Sequence, residues 1–403
     1  MDAPLNRVFL TAIAFMSYMI MAGLLTQIGV ILNAVSSVLG STPSQSVGVF
    51  SWLTGGALCG TFISLFLYAK FSLKPILLTN YSVFLCALLA LSISQPNQFF
   101  SLAILLFVLG VCCGCGLSGG AVIISKTYHE AKRAAAFIAT DCAFSAAGYI
   151  FPSLAALIIA SHYEWTLSYA AVGALALALW GLVFFATFPK TEADETGELS
   201  ALQQFTGILT PRVCLIALGV CIYLISQTTF LTWSPNYLQA AFGLSETKAA
   251  SVVGNYWGMS IFGLISAAIL VNKVPQRRFL MIVAVLASVF TLGFVLIEQG
   301  TQFLLLSYFF GFATTCIYKL AMSVGSQQLP RAPAVLITFL LFSGSIGSTL
   351  APALSGWVVG QFGVHSAMTM AWLGYSLVAL LFGACLWLEK RHQGVRHIMK
   401  EGI

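Results

Sequence analysis

Two ionisable residues stand inside otherwise apolar stretches of this 403-residue chain, Asp141 and Lys319. A charged side chain at the centre of a bilayer costs at least about 2.5 kcal/mol, so such residues mark ion or solute pathways by default. A carboxylate in that setting can take up and release a proton; an ammonium can hold an anion or neutralise the carboxylate. Burial opposes the charged form of each, and mutual proximity favours it. Each also has a plainer reading. Asp141 could be a structural carboxylate hydrogen-bonded within its own bundle, and Lys319 could snorkel toward the headgroups on its long stem.

A second set of polar groups lies near helix interiors: Gln27, Asn33, Tyr223, Gln227, Asn255 and Tyr256. Each can hydrogen-bond a solute, and amides also join helices to one another in membranes. Trp257 is placed to stack on an organic ligand, whereas Trp52 and Trp233 read as interfacial belt or gate residues. Cys112, Cys113 and Cys115 resemble a metal cluster on paper. Neighbouring helix positions point around the helix instead of converging, so no metal or cofactor is implied. The ten cysteines fall in or beside apolar runs and read as reduced small hydrophobes. The five histidines fall in loops or the tail, which disfavours a histidine proton relay.

The elements that must position these residues follow from composition. Apolar residues make up 59% of the chain and charged residues 7%, against about 25% charged in a soluble domain. The chain is therefore an integral membrane protein with the lipid bilayer as a partner. The first apolar run, Val8 to Asn33, is too long for a signal-peptide core and reads as a retained helix. With about 20 apolar residues needed per crossing, segmentation at polar clusters predicts twelve helices: 8–33, 46–69, 75–94, 99–125, 134–160, 166–188, 208–238, 247–271, 279–297, 303–325, 334–360 and 366–388.

With both termini cytoplasmic, sixteen of the eighteen basic residues fall on the cytoplasmic side; the exceptions are Lys248 outside and Lys319 within the membrane. Basic residues dispersed over many loops do not suggest nucleic-acid binding. One acidic, polar connector, residues 189–207, divides the chain into six-helix halves at 1–188 and 208–403. The halves are weakly similar: F-S-A-A-G-Y-I-F-P from Phe144 parallels F-S-G-S-I-G-S-T-L-A-P from Phe342. Parallel six-helix repeats around a midplane site belong to one large transporter class. The glycine-rich stretch from Gly110 to Gly120 predicts a close-packing face, and Pro152, Pro235 and Pro352 predict kinks.

Several motifs carry a resemblance. They are Ser17-Tyr18 and Gly23; Thr140-Asp141 followed by Phe144-Ser145, Gly148 and Phe151-Pro152; and Glu164-Trp165. In the second half they are Tyr223, Gln227, Trp233 and Pro235-x-Tyr237, then Asn255-x-Trp257 and Gly325-Ser326-Gln327-Gln328. On these residues the chain resembles the major facilitator superfamily, within it the TsgA-like branch, and more distantly fucose-permease-type sugar symporters. The resemblance implies an all-α protein of two pseudo-symmetric six-helix bundles that rock about a central site, coupled to an ion gradient, commonly protons. It further implies a monomer in the bacterial inner membrane with a small-molecule solute.

The chain departs from the pattern where sugar symporters carry an acidic residue in the fourth helix, since Ser118-Gly119-Gly120 stands there. Asp141 is then the remaining proton-coupling candidate, and Ser118 joins the candidate solute-facing residues. Lys319 is outside the branch pattern and points to an anionic or carboxylate-bearing solute.

Asp141 lies eight residues beyond Arg133, and Lys319 seven before Ser326, about 12 and 10 Å along their helices. Equal depth in opposite halves predicts that the two face one cavity, with direct pairing open. The expected function is proton-coupled uptake by alternating access. An exporter of drugs or metabolites, a neutral-sugar symporter and a non-transporting sensor remain as alternatives.

Overall fold

The computed structural model describes residues 3–94, 96–128, 130–188, 209–271, 273–328 and 334–401. The predicted connector at 189–207 and Arg331 lie outside the described residues. Twelve helices are long and apolar enough to cross a membrane, and no strand occurs among the described residues. In chain order these spans are Leu5–Leu25, Pro43–Ser64, Leu73–Ser94, Phe99–Ile124, Ala139–Ala160, Thr166–Phe185, Pro211–Phe242, Glu246–Leu270, Gln276–Leu296, Gly300–Ser326, Phe339–Phe362 and His365–Glu389. Large apolar side chains such as Ile93, Phe185 and Leu296 point outward, which is the surface a bilayer covers and water would not tolerate.

Packing divides the spans into two sets with the same internal plan. In the first set, span two packs on four, three on six, and one on four, five and six. In the second, eight packs on ten, nine on twelve, and seven on eleven and twelve. The closest crossings are made by glycines in reciprocal pairs. Gly110 and Gly114 of span four lie against the Leu53 and Ala57 backbone, while Gly56 and Gly60 of span two lie against Phe107 and Val111. Gly263 of span eight and Gly311 of span ten repeat the arrangement against Phe312 and Tyr256. Without a side chain at these positions the backbones approach closely, and dispersion replaces the hydrophobic drive that lipid does not supply.

Two spans are broken where sequence segmentation drew them whole. The first runs as a helix from Ala3 to Leu25 and resumes as Ile28–Leu39. The cause is local competition for carbonyls. Gln27 Nε2 donates to the Gly23 carbonyl at 2.5 Å, and Tyr169 donates its hydroxyl to the Leu24 carbonyl at 3.1 Å. The tenth span breaks between Gly300–Thr314 and Ile317–Ser326. There the Thr315 hydroxyl donates to the Gly311 carbonyl, and Tyr223 donates to the Thr314 carbonyl at 3.4 Å. Pro152, Pro235 and Pro352 all lie inside their helices, where each removes one backbone donor.

The two sets meet along spans five and eight, along spans two and eleven, and where Ile28–Leu39 crosses span seven. Gly29 sits against the Leu231 and Thr232 backbone, and Asn33 donates to Gln239 at 3.4 Å. Gly356 sits on Val47 and Ser44. These contacts lie toward the end of the molecule away from the termini, so that end is closed.

Candidate functional site

Asp141 projects from span five into the junction of the two halves, and Lys319 reaches it from the short helix Ile317–Ser326 of span ten. Lys319 Nζ stands 3.0 Å from Asp141 Oδ2. An ammonium–carboxylate contact of this length is a charge-assisted hydrogen bond. It answers the cost of both charges at once, since each supplies the counter-charge that hydrocarbon cannot. The pair is not sealed. The Asp141 side chain is 20% exposed and that of Lys319 53%, so solvent reaches the pair from the lysine side. Lys319 is thus committed across the junction instead of reaching along its own helix to the headgroups.

The surroundings of the pair are aromatic and hydroxylic. Tyr18, from the first span, has its hydroxyl in hydrogen-bonding contact with Thr140, the residue before Asp141. The Lys319 ammonium lies 5.7 Å from the Tyr318 ring centre. Tyr18 and Tyr318 are both within electrostatic range of the Asp141 carboxylate, and Cys142 follows it in the chain. One helical turn further, the Phe144 ring lies 5.4 Å from Trp257 of span eight. Tyr18, Phe144 and Tyr318 are half-buried.

Trp257 fills a notch in span five. A side-chain carbon added to Gly148 would lie 2.6 to 2.9 Å from three indole ring atoms, so only glycine leaves room for the ring. The indole N–H is buried with no acceptor, an arrangement that costs about 1–3 kcal/mol.

The remaining candidates are placed elsewhere. Gln227 donates to the Tyr223 hydroxyl at 3.0 Å and the Tyr256 hydroxyl at 2.6 Å. That network is buried within the second half and abuts the break in span ten through Thr314. Asn255 donates to the Leu304 carbonyl at 3.3 Å and so ties span eight to span ten. Ser118 donates to the Gly114 carbonyl on its own helix. Gln27 uses its amide nitrogen on Gly23 and leaves its oxygen buried without a partner.

Trp52 is 42% exposed, edge-on to Phe100 and Phe107, as a belt residue would be. Trp233 is not a belt residue. It is fully buried and donates to Ser355 at 2.9 Å, because span seven is the core helix of its half and shows no lipid face at that position.

Two features escaped sequence reasoning. The aromatic walls Tyr318 and Phe144 carry no periodic signal that distinguishes them from lipid-facing rings. Glu389, which the charge pattern sends to a helix end, is 7% exposed and forms a bidentate pair with Arg277 at 2.6 and 2.7 Å. That pair joins the start of span nine to the end of span twelve. In the first half the equivalent join is made differently: Lys74 caps the carbonyls of Phe184 and Ala186 at 2.7 and 3.1 Å.

Comparison with known proteins fits this architecture. The model of the Major Facilitator Superfamily matches residues 8–340. The protein TsgA homolog of Edwardsiella ictaluri (strain 93-146) is 27% identical over 396 residues, covering 98% of this chain and 99% of that protein. The TsgA homolog of Yersinia pseudotuberculosis serotype O:1b (strain IP 31758) is 27% identical over 397 residues, 98% of each. Among solved structures, a D-xylose-proton symporter aligns with a TM-score of 0.75 at 14% identity, over 93% of this chain and 97% of that one. The nucleoside transporter NupG aligns with a TM-score of 0.74 at 13% identity, over 97% and 100%. At such identities the structural likeness concerns the fold.

Proposed function

The chain belongs to the Major Facilitator Superfamily, and from that premise we propose that it is a secondary active transporter that takes up a small polar, anionic or carboxylate-bearing solute with a proton. Asp141 carries the proton and Lys319 holds the anion. The observation that carries this reading is the 3.0 Å ion pair between the two halves, inside spans that are otherwise uncharged. A transporter that rocks its halves must break any bond between them, so the pair reports on the state of the site. With the basic loops cytoplasmic, the closed end is outward and the pair is reached from the cytoplasm.

In the cycle, the outward-open site accepts solute and proton, the halves rock, and Asp141 releases its proton inward. Lys319 orients the carboxylate through its hydrogen bond before solute arrives, and Trp257 in its Gly148 notch excludes water from the outer side of the junction.

Counterflow and pH-gradient-driven uptake in proteoliposomes test this with a solute panel spanning sugars, nucleosides and carboxylates. Asp141→Asn should abolish accumulation driven by a proton gradient while retaining exchange of solute for solute. Uptake against a gradient by Asp141→Asn would make the carboxylate structural. Transport indifferent to both Lys319→Ala and solute charge would return the neutral-sugar reading.

A further inference from the structure

We infer that the solute is a monocarboxylate with a flat, aromatic body, and that it binds by replacing Asp141 on Lys319 with one proton transferred to Asp141. This rests on the reading of the pair as the transport site and narrows it to a substrate class and a stoichiometry.

The first argument is charge balance. Among the described residues, Asp141 and Lys319 are the ionised groups deep within the spans. The other described charges lie at span ends or in loops, and Glu389 is spent on Arg277. The pair is neutral as it stands. When a carboxylate takes the ammonium, the Asp141 carboxylate loses its counter-ion in a low-dielectric site, and the cost of an unpaired charge there is removed by protonation.

The exchange balances. A neutral ammonium–aspartate pair, one monoanion and one proton give an ammonium–carboxylate pair and a neutral aspartic acid. A dianion entering by the same route leaves one negative charge uncompensated. A neutral solute leaves the pair intact and gives no reason for a proton to bind. The groups facing Asp141 are Lys319 and the hydroxyls of Tyr18 and Tyr318, with Cys142 beside it. None of these supplies a second positive charge.

The second argument is the lining. A polyol needs several free donors and acceptors close together, whereas the unpartnered candidate groups are single, the Gln27 oxygen and the Trp257 indole N–H, and two further amides are engaged away from the pair. Gln227 is held by two tyrosines, and Asn255 by a backbone carbonyl. The groups that stand around the pair are half-buried rings: Tyr318, 5.7 Å from the Lys319 ammonium, with Tyr18 and Phe144 from the other half. Offset or edge-on packing against such rings favours an aromatic body over a saturated one.

The test uses the purified full-length protein and isothermal titration in two buffers of different ionisation enthalpy, which counts protons taken up on binding. The probes are benzoate, its neutral isostere benzamide, the dianion terephthalate and the saturated cyclohexanecarboxylate. Benzoate should bind with uptake of about one proton per molecule when the pair is charged beforehand. Terephthalate, benzamide and cyclohexanecarboxylate should each bind at least about tenfold more weakly. Asp141→Asn should still bind benzoate, with no proton uptake, whereas Lys319→Gln should lose about tenfold or more in benzoate affinity.

Tighter binding of terephthalate, benzamide or cyclohexanecarboxylate than of benzoate overturns the inference, as does binding of none of the four probes. If one of those three binds more tightly than benzoate, with proton uptake that requires Asp141, the inference fails and the transport reading stands. Benzoate binding that needs neither Lys319 nor Asp141 brings down the transport reading itself.

Discussion

The two long seams between the halves occupy equivalent places in the internal repeat, and they are built from opposite materials. Spans two and eleven meet through small uncharged residues: Gly55 faces Thr349 at 3.4 Å, and Gly356 and Gly360 rest on Val47 and Ser44. Spans five and eight meet through an indole seated in a glycine notch, and the ion pair to span ten lies beside them. One seam only packs. The other packs and carries the charge, the aromatic rings and an unsatisfied indole donor. The two seams join corresponding spans of the repeat, so the chemistry present in one and missing from its counterpart is what sets them apart. The unmet hydrogen bond also lowers the cost of parting that seam, since an indole N–H released to water or ligand regains a partner.

This contrast can be broken in graded steps. The largest effect is expected from removing one charge. Lys319→Ala leaves the Asp141 carboxylate without its counter-ion, and transport should fall by about a hundredfold, near 2.7 kcal/mol. The double variant Asp141→Asn, Lys319→Ala should recover thermal stability in detergent without recovering transport. A melting temperature for the double variant no higher than for Lys319→Ala alone would show that the pair is not energetically coupled.

Next in size is the notch. Gly148→Ala places a methyl group within the indole contact distance, so spans five and eight must separate. Labelling of Cys142, kept as the sole cysteine, by a membrane-impermeant maleimide should rise several-fold. Gly55→Ala on the opposite seam meets only the Thr349 methyl at ordinary contact distance, and labelling should stay within about twofold of the parent. Equal responses from the two glycines would erase the distinction between the seams.

Smallest are the joins at the termini end. Arg277→Gln leaves the buried Glu389 carboxylate without its partner, and the loss in stability, reduced by the partial exposure of Arg277, should be about 1–2 kcal/mol. Lys74→Gln removes a cation from the end of span six and should cost about 0.5 kcal/mol. Urea or thermal melts rank the two, and a larger loss at Lys74 than at Arg277 would contradict the burial argument.

Much of this was legible from residue types. Spans are written in runs of apolar residues whose length the bilayer fixes, so twelve helices and the six-and-six repeat follow from composition and spacing. The two charges announced themselves because hydrocarbon makes every charge conspicuous, and equal depth pointed to one shared cavity for Asp141 and Lys319 while leaving their direct pairing open. What stayed illegible was the use of neutral polar groups. An amide in a membrane helix serves a ligand or a neighbouring helix equally well on paper. Only geometry assigns Asn255 to the Leu304 carbonyl and Gln227 to two tyrosines.

The breaks in spans one and ten were hidden for a related reason. They depend on Tyr169 and Tyr223 reaching carbonyls 145 and 91 residues away in sequence. Trp233 shows the same limit, since nothing in its local sequence separates a buried strut from a belt residue.

The break in span ten gives the ion pair a mechanical property. Lys319 lies four residues beyond Thr315, about 6 Å along the axis, on a helical segment of ten residues. Treated as a lever pivoting at the break, that segment moves the Lys319 backbone by about 2 Å for a swing of about 20°, taking the arm from the helical rise. Such a displacement exceeds the tolerance of a 3.0 Å contact while leaving the glycine crossings of spans eight and ten undisturbed. A swing of that size at the break would part the pair with no movement between the halves.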